Sequence, residues 1–513
     1  MTRKLVDASP LRGHSRGSLF QEPSAASLLS PLRFAATIFL ALMLTGASSP
    51  RTIANAREPG DQPNIVLIVA DDLGYGELGC QGNPQIPTPH VDALAEGGLR
   101  FTQAYVTAPN CSPSRAGLLA GQIPTRFGYE FNPIGARNDD PGTGIPSKLR
   151  LLPETLQSAG YSTGLVGKWH LGGAADYHPQ RNGFDYFFGF SHEGHYFGPP
   201  PWSGMATMLR KRNLPRTGRV GDGTRYFVDE DLVLSSHMGH DEPDYDANNP
   251  VVRLSQPVDE TEYLTDAFSR EACSFIRRYQ SSPFFLCVTF NAVHSPLQAK
   301  KETLEEFAEI DDLHRRIFAA MLTDLDRGVG KIVDTLDSLN LRENTLIVFL
   351  SDNGGPTREL TSSNAPLRDG KGSMYEGGLR IPFIMNWSKA VRVGVCEQVV
   401  SSLDLYPTLC RVADAEVPEA LDGYPLQPLL EDETATSPHR YLYWRQGGRA
   451  ALRSGRYKIV APQRRVEQRS WELYDVESDY AETRDLASKL PAVRQELIEQ
   501  WEKLDGQMMA PIF

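Results

Sequence analysis

The sequence predicts an α/β fold for the greater part of the chain, followed by a smaller C-terminal α+β unit. From residue 61 onward, short runs rich in Ile and Val alternate with longer amphipathic segments, which is the pattern of an α/β protein. Residues 426–513 hold short strand-like runs and then one helical segment. With 513 residues, 40% of them hydrophobic, the chain is long enough to bury a large core.

The first 56 residues predict an export signal. Several Arg and Lys residues precede the apolar run from Phe34 to Leu44, whose length is typical of a signal peptide and too short to span a bilayer of about 30 Å. Ala54, Asn55 and Ala56 form an A-x-A site for cleavage after Ala56, and the small residues between 46 and 49 offer another. We therefore expect an exported protein, periplasmic or extracellular, without stable membrane insertion.

Four strand-like runs each end in a group of polar residues. They are Asn64 to Ala70 before Asp71 and Asp72, Tyr161 to Val166 before residues 167–172, Phe284 to Val293 before His294, and Thr345 to Leu350 before Asp352 and Asn353. In open α/β sheets, ligands bind at the carboxyl ends of the strands. The four groups therefore predict one shared crevice.

Three further regions complete the predicted organisation. Leu304 to Leu339 carries apolar residues at helical spacing and predicts a helix that covers the sheet. Residues 191–262 are rich in Gly, Pro, His and Tyr and predict a loop-rich insertion within a main domain of residues 61–425. The C-terminal unit is built from the strand-like runs Tyr441 to Trp444, Ala450 to Leu452 and Tyr457 to Val460, and from the helical segment Leu490 to Leu504.

The charge of the chain bears on its partners. A net charge of −12 disfavours a general nucleic-acid binder, because such proteins usually present a basic face. No basic stripe stands out along the sequence. We therefore expect no nucleic-acid partner.

Asp71, Asp72, Asp352 and Asn353 are candidate metal ligands. Together they offer three carboxylates and a carboxamide oxygen, which are hard donors suited to Ca²⁺ or Mg²⁺ rather than to Zn²⁺. The alternative for either pair alone is that it caps the turn or helix after its strand. Two such pairs, each at the end of an apolar strand, favour a metal site.

Two lysines and two histidines are further candidates for the site. Lys168 and Lys371 lie beside glycines, which we interpret as allowing close approach of the backbone to a substrate. His170 and His294 are candidates for proton transfer near neutral pH. Each of the four taken singly would more often be a surface charge or a hydrogen-bonded structural residue, so the interpretation rests on their joint occurrence.

The run Cys111-Ser112-Pro113-Ser114-Arg115 has the spacing C-x-P-x-R and leads into a predicted helix. By itself this pattern is weak, because chance matches to three fixed positions are common. A cysteine in such a position is more often a small buried hydrophobe. The neighbouring motifs decide between these interpretations.

Six motifs in one order resemble the type I sulfatases of the alkaline-phosphatase-like superfamily, and the match extends from about Pro63 to Pro382. They are Ala70-Asp71-Asp72-Leu73-Gly74-Tyr75-Gly76, Cys111-Ser112-Pro113-Ser114-Arg115, Gly167-Lys168-Trp169-His170-Leu171-Gly172, His294-Ser295-Pro296, Ser351-Asp352-Asn353-Gly354 and Gly370-Lys371-Gly372. The resemblance implies a large mixed sheet sandwiched by helices, with a small C-terminal domain. It also implies a sulfuric ester hydrolase.

The resemblance implies a modified residue and a metal ion. Cys111 would be oxidised to formylglycine by a formylglycine-generating enzyme or an anaerobic maturase. The ligands of the ion would be Asp71, Asp72, the modified Cys111, Asp352 and Asn353. The family usually takes Ca²⁺, and Mg²⁺ remains an alternative.

The resemblance also implies a mechanism. The hydrated formylglycine at position 111, activated by the metal and by Asp352, would attack sulfur in line. Arg115, Lys168 and Lys371 would offset the charge of the sulfuryl group and the diol.

Two histidines would then move protons. His294, with help from Lys371, would protonate the departing alcohol. His170 would take a proton from the second hydroxyl, so that sulfate is expelled and the aldehyde reforms.

Three other functions stay open at this point. The first is a formylglycine-dependent phosphodiesterase or phosphonate ester hydrolase of the same superfamily. The second is a non-catalytic glycan-binding homologue that never acquires the aldehyde. The third is a metal-free thiol hydrolase that uses Cys111 with His170, and this one leaves the four candidate metal ligands without a role.

The expected substrate is a sulfated carbohydrate or another sulfate ester. Exported sulfatases with long loops resemble enzymes that act on such sugars. An outer sugar site is expected from chain position at His192, His195, Tyr196, Arg358 and Arg368.

Overall fold

The chain folds as an α/β protein, as predicted, in a computed structural model that describes residues 62–212, 214, 226–228, 231–236 and 240–513. The predicted export signal, with its cleavage site after Ala56, lies outside these residues, as does part of the insertion at 191–262. Among the helices of the described residues, none combines the length and the apolar character that a membrane span requires.

The described residues form eighteen strands and eleven α-helices, numbered in chain order. The strands are β1 Asn64–Ala70, β2 Leu99–Tyr105, β3 Ser162–Lys168, β4 Tyr186–Phe190, β5 Met205–Arg210, β6 Tyr226–Val228, β7 Leu232–Ser235, β8 Val252–Arg253, β9 Gln256–Pro257, β10 Phe284–Thr289, β11 Leu297–Lys300, β12 Thr345–Ser351, β13 Arg380–Asn386, β14 Gly394–Ser401, β15 Leu442–Gln446, β16 Arg449–Ser454, β17 Tyr457–Ala461 and β18 Glu472–Asp475. The helices are α1 Pro89–Glu96, α2 Cys111–Ala120, α3 Leu152–Ser158, α4 Leu264–Tyr279, α5 Lys301–Glu305, α6 Leu313–Ser338, α7 Thr357–Leu360, α8 Glu376–Leu379, α9 Leu405–Val412, α10 Gln427–Glu431 and α11 Pro491–Asp505.

The main sheet has ten strands in the order β14-β2-β13-β12-β1-β10-β3-β4-β8-β9. Its centre, β12-β1-β10-β3-β4, is parallel, whereas β13 pairs antiparallel with both β12 and β2, so the sheet is mixed. The four strand-like runs of the sequence are neighbours here, as β12, β1, β10 and β3. Because these strands are parallel, their carboxyl ends lie at one edge of the sheet.

Both faces of the sheet are buried. Ile65, Leu67 and Val69 of β1 belong to one apolar core, which includes residues of α2 and α9, and Val66 and Ile68 belong to a second core with residues of α4 and α6. Successive side chains of a strand point to opposite faces, so this alternation places helices on each side. It explains why β1 reads as a continuous apolar run.

The predicted helix from Leu304 to Leu339 is two helices. The short α5 ends at Glu305, and the long α6 begins only at Leu313. Asp312 starts α6 as its N-cap, because its carboxylate accepts a hydrogen bond from the backbone N–H of His314 at 2.9 Å. The apolar periodicity from Ile317 onward was predicted correctly.

The structure also differs from the prediction in the insertion and in the strand that begins at Phe284. Residues within 191–262 contribute β5, β6 and β7 to a four-stranded sheet of order β11-β5-β7-β6, so the insertion is not only loops. The strand from Phe284 ends at Thr289 rather than at Val293. The following residues turn to the loop after β1, where Val293 donates its N–H to the carbonyl of Asp71 at 2.8 Å.

The C-terminal unit consists of one sheet and one helix. The strands β15-β16-β17-β18 form an antiparallel sheet in sequential order, and α11 packs on it through Leu497 and Trp501. The predicted α+β composition is therefore confirmed, with β18 as a strand that the sequence did not predict. The domain boundaries at residues 425 and 426 remain predictions.

A buried cluster of charges joins this C-terminal sheet to the main sheet. The ammonium of Lys458 on β17 lies 2.9 Å from a carboxylate oxygen of Glu376 and 3.0 Å from one of Glu482. Tyr105 of β2 donates a hydrogen bond to Glu376 at 2.6 Å. The guanidinium of Arg380, 3.5 Å from Glu376, gives that carboxylate a second cationic partner. The buried Glu482 must share Lys458 with Glu376, so a charge on Glu482 conflicts with its burial.

Glu482 is the carboxyl group whose pKa responds to this conflict. Burial raises its pKa from the usual 4.5 to about 7, in spite of the opposing effect of Lys458. Between these two pH values the folded chain holds a proton that the unfolded chain lacks, so its stability falls as pH rises from about 4.5 to 7. The variant Glu482→Gln lacks this titration. We expect its free energy of unfolding, relative to the wild type, to be about 2 kcal/mol higher at pH 8 than at pH 5.

Denaturant unfolding at the two pH values measures this difference. Glu496→Gln, on the exposed face of α11, is the matched control and should show no such change. An equal effect of Glu482→Gln at pH 5 and at pH 8 would contradict the assignment.

Candidate active site

The polar residues that follow the four parallel strands meet at one edge of the sheet. The ammonium of Lys168 lies 2.6 Å from Asp71 Oδ2, which pairs the end of β3 with the end of β1. The backbone N–H of Asp72 donates to Asp352 Oδ1 at 3.2 Å, and His294 Nε2 lies 3.7 Å from Asp72 Oδ2. The structure thus brings the candidates from all four groups into one crevice.

Helix α2 adds two more candidates from one of its faces. Cys111 is the first residue of α2, and its Sγ lies 3.8 Å from Asp72 Oδ1. Arg115, four residues later and therefore on the same face, binds Asp352 Oδ2 through Nε and Nη2, both at 2.8 Å. It also donates to the carbonyl of Lys168 at 3.1 Å. Arg115 therefore ties two of the strand ends to the helix.

The environment of Cys111 disfavours thiol chemistry. The side chain is 1% exposed, and this burial raises the pKa of the thiol above its ordinary value. The thiolate is the nucleophilic form, and a buried thiol with a raised pKa does not supply it. This environment therefore disfavours a metal-free thiol hydrolase.

Lys371 and Asn353 both contact Asp72. The ammonium of Lys371 donates to Asp72 Oδ2 at 2.7 Å, and Asn353 Nδ2 donates to Asp72 Oδ1 at 2.7 Å. Burial opposes the charge on Lys371, yet Asp72 raises the pKa of its ammonium above the usual value. The side chain of Lys371 is 18% exposed and that of Lys168 is fully buried, so Lys371 is the lysine nearer the opening.

The hydrogen bonds of the two histidines define where each carries its proton. His170 Nε2 lies 3.0 Å from the carbonyl of Pro133, and His294 Nδ1 lies 2.7 Å from the carbonyl of Ser295. A carbonyl only accepts, so these nitrogens hold the protons in the neutral rings. Burial, together with Lys168 near His170 and Lys371 near His294, lowers both pKa values well below 6.5. His170 Nδ1 and His294 Nε2 are therefore free to accept protons.

The donor set fits a divalent cation. Asp71 Oδ1 and Asn353 Oδ1 are buried oxygens without a hydrogen-bond partner among the described residues. Ligand atoms of Asp71, Asp72, Cys111 and His294 all lie within 4.8 Å of one another. A cation would satisfy the two orphaned oxygens, and oxygen donors of this kind suit a hard ion. The compact set also includes His294, which the sequence predicted for proton transfer rather than as a ligand.

Asp352 lies between helix α2 and the loop after β1. One of its oxygens accepts from Arg115, and the other accepts from the backbone of Asp72. Burial raises the pKa of its carboxyl, and the neighbouring Asp71 raises it further. Asp352 therefore joins the arginine of α2 to the loop after β1.

Sequence reasoning missed the residues that orient these groups. Ser112 Oγ lies 2.7 Å from the hydroxyl of Tyr129 and donates to the carbonyl of His170 at 2.5 Å. Ser351 Oγ accepts from the N–H of Leu73 at 3.1 Å and donates to the carbonyl of Asn353. Ser112 and Ser351 both lie inside the quoted motifs, and that position was the signal available in the sequence.

Two of the three glycines beside the lysines are required by contacts within the protein. A Cβ atom on Gly167 would overlap the carbonyl of Thr289 on β10, and one on Gly370 would overlap the carbonyl of Gly355. Gly167 also has a φ of 120°. These two glycines therefore allow close contact between parts of the chain itself.

We expect Gly167→Ala to destabilise the fold, because it combines a backbone conformation that favours glycine with a steric overlap. The free energy of unfolding should fall by about 3 kcal/mol. Gly160→Ala is the matched control, since Gly160 has a φ of 90° but nothing within 4 Å of the added Cβ, and it should cost about 1 kcal/mol. Urea unfolding of both variants measures the difference, and equal losses would contradict the overlap.

Two of the residues expected at an outer sugar site are already engaged within the protein. His192 Nε2 lies 3.0 Å from Asp139, and the guanidinium of Arg368 stacks 3.8 Å from the ring centre of Tyr375. Tyr196 packs edge to face on Tyr245. The outer sugar site itself remains an expectation.

Comparison with known proteins agrees with this geometry. Residues 63–415 match the family model Sulfatase, and residues 369–507 match the model described as N-sulphoglucosamine sulphohydrolase, C-terminal. Arylsulfatase A of Homo sapiens is 36% identical over 418 residues, which cover 77% of this chain and 74% of that protein. N-acetylgalactosamine-6-sulfatase of Mus musculus is 33% identical over 418 residues, covering 79% and 72%.

The solved structures include sulfatases of the same fold. Ps i-CgsB in complex with k-i-k-neocarrahexaose superposes with a TM-score of 0.74 at 35% sequence identity, covering 88% of this chain and 94% of that one. The large mixed sheet with helices and a C-terminal unit is thus the alkaline-phosphatase-like fold of the sulfatases. The chain belongs to the sulfatase family as an arylsulfatase-like member, and it is a sulfuric ester hydrolase.

Proposed function

We propose that this protein hydrolyses a sulfate monoester on a carbohydrate, using a formylglycine made from Cys111 and a bound divalent cation. The cation is Ca²⁺, with Mg²⁺ as the alternative, and its ligands are Asp71, Asp72, Asp352, Asn353 and the modified residue 111. The observation that carries the proposal is the meeting of two orphaned buried oxygens, on Asp71 and Asn353, with Cys111 in one crevice.

The cation would stabilise negative charge on the sulfuryl oxygens, and formylglycine would supply the nucleophilic hydroxyl that a buried thiol lacks. The residues of this chain do the rest. Arg115 holds Asp352 at 2.8 Å, and Lys168 holds Asp71 at 2.6 Å. Lys371, bonded to Asp72 and partly exposed, is the ammonium available to a sulfate oxygen of the entering ester.

The histidines divide the two proton transfers. His294 presents its unprotonated Nε2 toward Asp72, and the ammonium of Lys371 bonds the same oxygen of Asp72. Lys371 would supply a proton to Nε2, and His294 would pass it to the departing alcohol. His170 keeps its own proton on Nε2, toward Pro133. Its Nδ1 is the acceptor for the proton released when sulfate leaves.

A carbohydrate substrate is supported by the relatives. One is named for a sulfate on N-acetylgalactosamine, and another was solved with a neocarrahexaose. We further propose that the chain is exported and that its partner during maturation is a formylglycine-generating enzyme or an anaerobic maturase. The apolar run from Phe34 to Leu44 supports export.

Mass spectrometry of the peptide across Cys111 tests the proposal, after co-expression with a formylglycine-generating enzyme. We expect a loss of about 18 Da, the change from cysteine to formylglycine, together with hydrolysis of 4-nitrophenyl sulfate. Unmodified Cys111 without turnover would favour the glycan-binding alternative. Faster hydrolysis of a 4-nitrophenyl phosphonate ester than of the sulfate would favour the phosphonate hydrolase.

A further inference from the structure

Two arginines of the C-terminal sheet line a cavity beside the proposed active site. Arg449 is the first residue of β16, and Arg464 lies in the loop after β17. They share a cavity of about 270 Å³ with Lys371 and Gly372. A Cβ atom on Gly372 would lie 3.9 Å from Arg449 Nη1, so this guanidinium lies against the backbone next to Lys371. The volume lies just below the range of about 300–1,000 Å³ for small-molecule sites, which fits one charged group of a larger ligand.

The two guanidiniums have little to neutralise them. Arg449 Nη1 donates to the amide oxygen of Gln446 at 3.2 Å. Neither arginine forms an ion pair with a carboxylate within the described ranges, although Asp369 lines the same cavity. Burial lowers the pKa of Arg449, and the like charge of Arg464 lowers it further. Arg464 is exposed to solvent, and Asp369, which raises the pKa of Arg449, is one carboxylate facing two guanidiniums. The cavity therefore keeps a net positive charge that suits an anionic ligand.

The turn that carries Arg449 is held in place. The N–H of Gly447 donates to Glu130 at 2.6 Å, and the N–H of Gly448 donates to the carbonyl of Arg464 at 3.1 Å. Arg469 donates to the carbonyl of Gly448 at 2.9 Å. The backbone of Gly448, which precedes Arg449, is therefore hydrogen-bonded to the backbone of Arg464. This link holds the two arginines near each other, which fits a preorganised site rather than two independent surface charges.

We propose that Arg449 and Arg464 bind a second anionic group, a sulfate or a carboxylate, on the carbohydrate whose sulfate ester is cleaved beside Lys371. The substrate class is then an oligosaccharide that carries more than one negative group. Guanidinium groups match the paired oxygens of both anions, so the structure favours the shared chemistry. This inference rests on the proposed function, because it uses the same crevice.

The test compares the wild type with the double variant Arg449→Ala/Arg464→Ala. Sucrose octasulfate serves as the sulfated probe and trigalacturonate as the carboxylated probe, both as competitors of 4-nitrophenyl sulfate. For each enzyme, the inhibition constant of the probe is divided by the Michaelis constant for this aryl sulfate. The quotient should rise about tenfold in the double variant for at least one probe. The probe that responds identifies the anionic group.

The double variant Arg449→Lys/Arg464→Lys should restore part of the lost probe affinity, because it keeps the charge.

Arg440→Ala removes the same charge at an exposed position away from Lys371 and is the matched control. Its quotient should equal that of the wild type. Calorimetric binding of both probes to chains that retain unmodified Cys111 gives a second readout that needs no turnover. Equal affinities of the wild type and the alanine double variant for both probes would overturn this inference. Absence of sulfate hydrolysis by the matured wild type would instead overturn the proposed function, and the calorimetry would still decide the subsite.

Discussion

Replacing Cys111 by serine is expected to abolish sulfate ester hydrolysis, with a loss of about 10⁴-fold or more in turnover of 4-nitrophenyl sulfate. Serine preserves the size of the side chain at the start of α2, where residue 111 is 1% exposed, so the fold should survive. It removes the thiol that the formylglycine-generating enzyme oxidises. A serine ester of sulfate could not eliminate sulfate as the hydrated aldehyde does.

Cys80→Ser is the control, because Cys80 is half-buried and lies outside the crevice. It should keep the activity and the mass loss at Cys111. Circular dichroism of both variants checks that the fold is intact. Turnover by Cys111→Ser within tenfold of the wild type would contradict the formylglycine mechanism.

Asp72→Asn is expected to remove cation binding and to lower turnover by about 10³-fold. Asp72 is 1% exposed and contacts Lys371, Asn353 and Cys111 at once. A neutral amide leaves the ammonium of Lys371 without its counter-charge and weakens one of the hard ligands. The cation therefore meets less negative charge and more uncompensated positive charge.

Calorimetric titration with Ca²⁺, followed by the activity assay, measures both effects. Asp422→Asn is the control, since Asp422 pairs with Arg126 elsewhere on the protein. It should bind Ca²⁺ as the wild type does. A Ca²⁺ affinity of Asp72→Asn equal to that of the wild type would contradict the proposed ligand set.

The two variants also separate the competing functions. A glycan-binding homologue without catalysis would show no turnover before or after the substitutions, although it would still bind sugars. A phosphonate ester hydrolase would lose its activity in both variants, so only the relative rates on sulfate and phosphonate esters distinguish it. The buried thiol of Cys111, with its raised pKa, leaves the thiol hydrolase without support.

The sequence by itself determined the local features of this protein. The run from Asn64 to Ala70 was predicted with the limits that β1 has, and the run from Thr345 was one residue short, because strands buried on both faces have continuous apolar sequences. The motif at Cys111 and the polar residues after each strand were also visible in the chain. Parallel strands end at one edge, so the shared crevice followed from the order of the elements.

The tertiary structure alone decided the pairing between distant parts of the chain. β13 lies between β2 and β12, and the salt bridge between Lys168 and Asp71 joins residues 97 positions apart. The break between α5 and α6 depends on the cap at Asp312. The proton positions on the histidines depend on carbonyls that no local pattern specifies. Arg449 and Arg464 reach the cavity beside Lys371 only because the C-terminal sheet docks there. Contacts of this range depend on the packing of the whole chain rather than on periodicity within a segment.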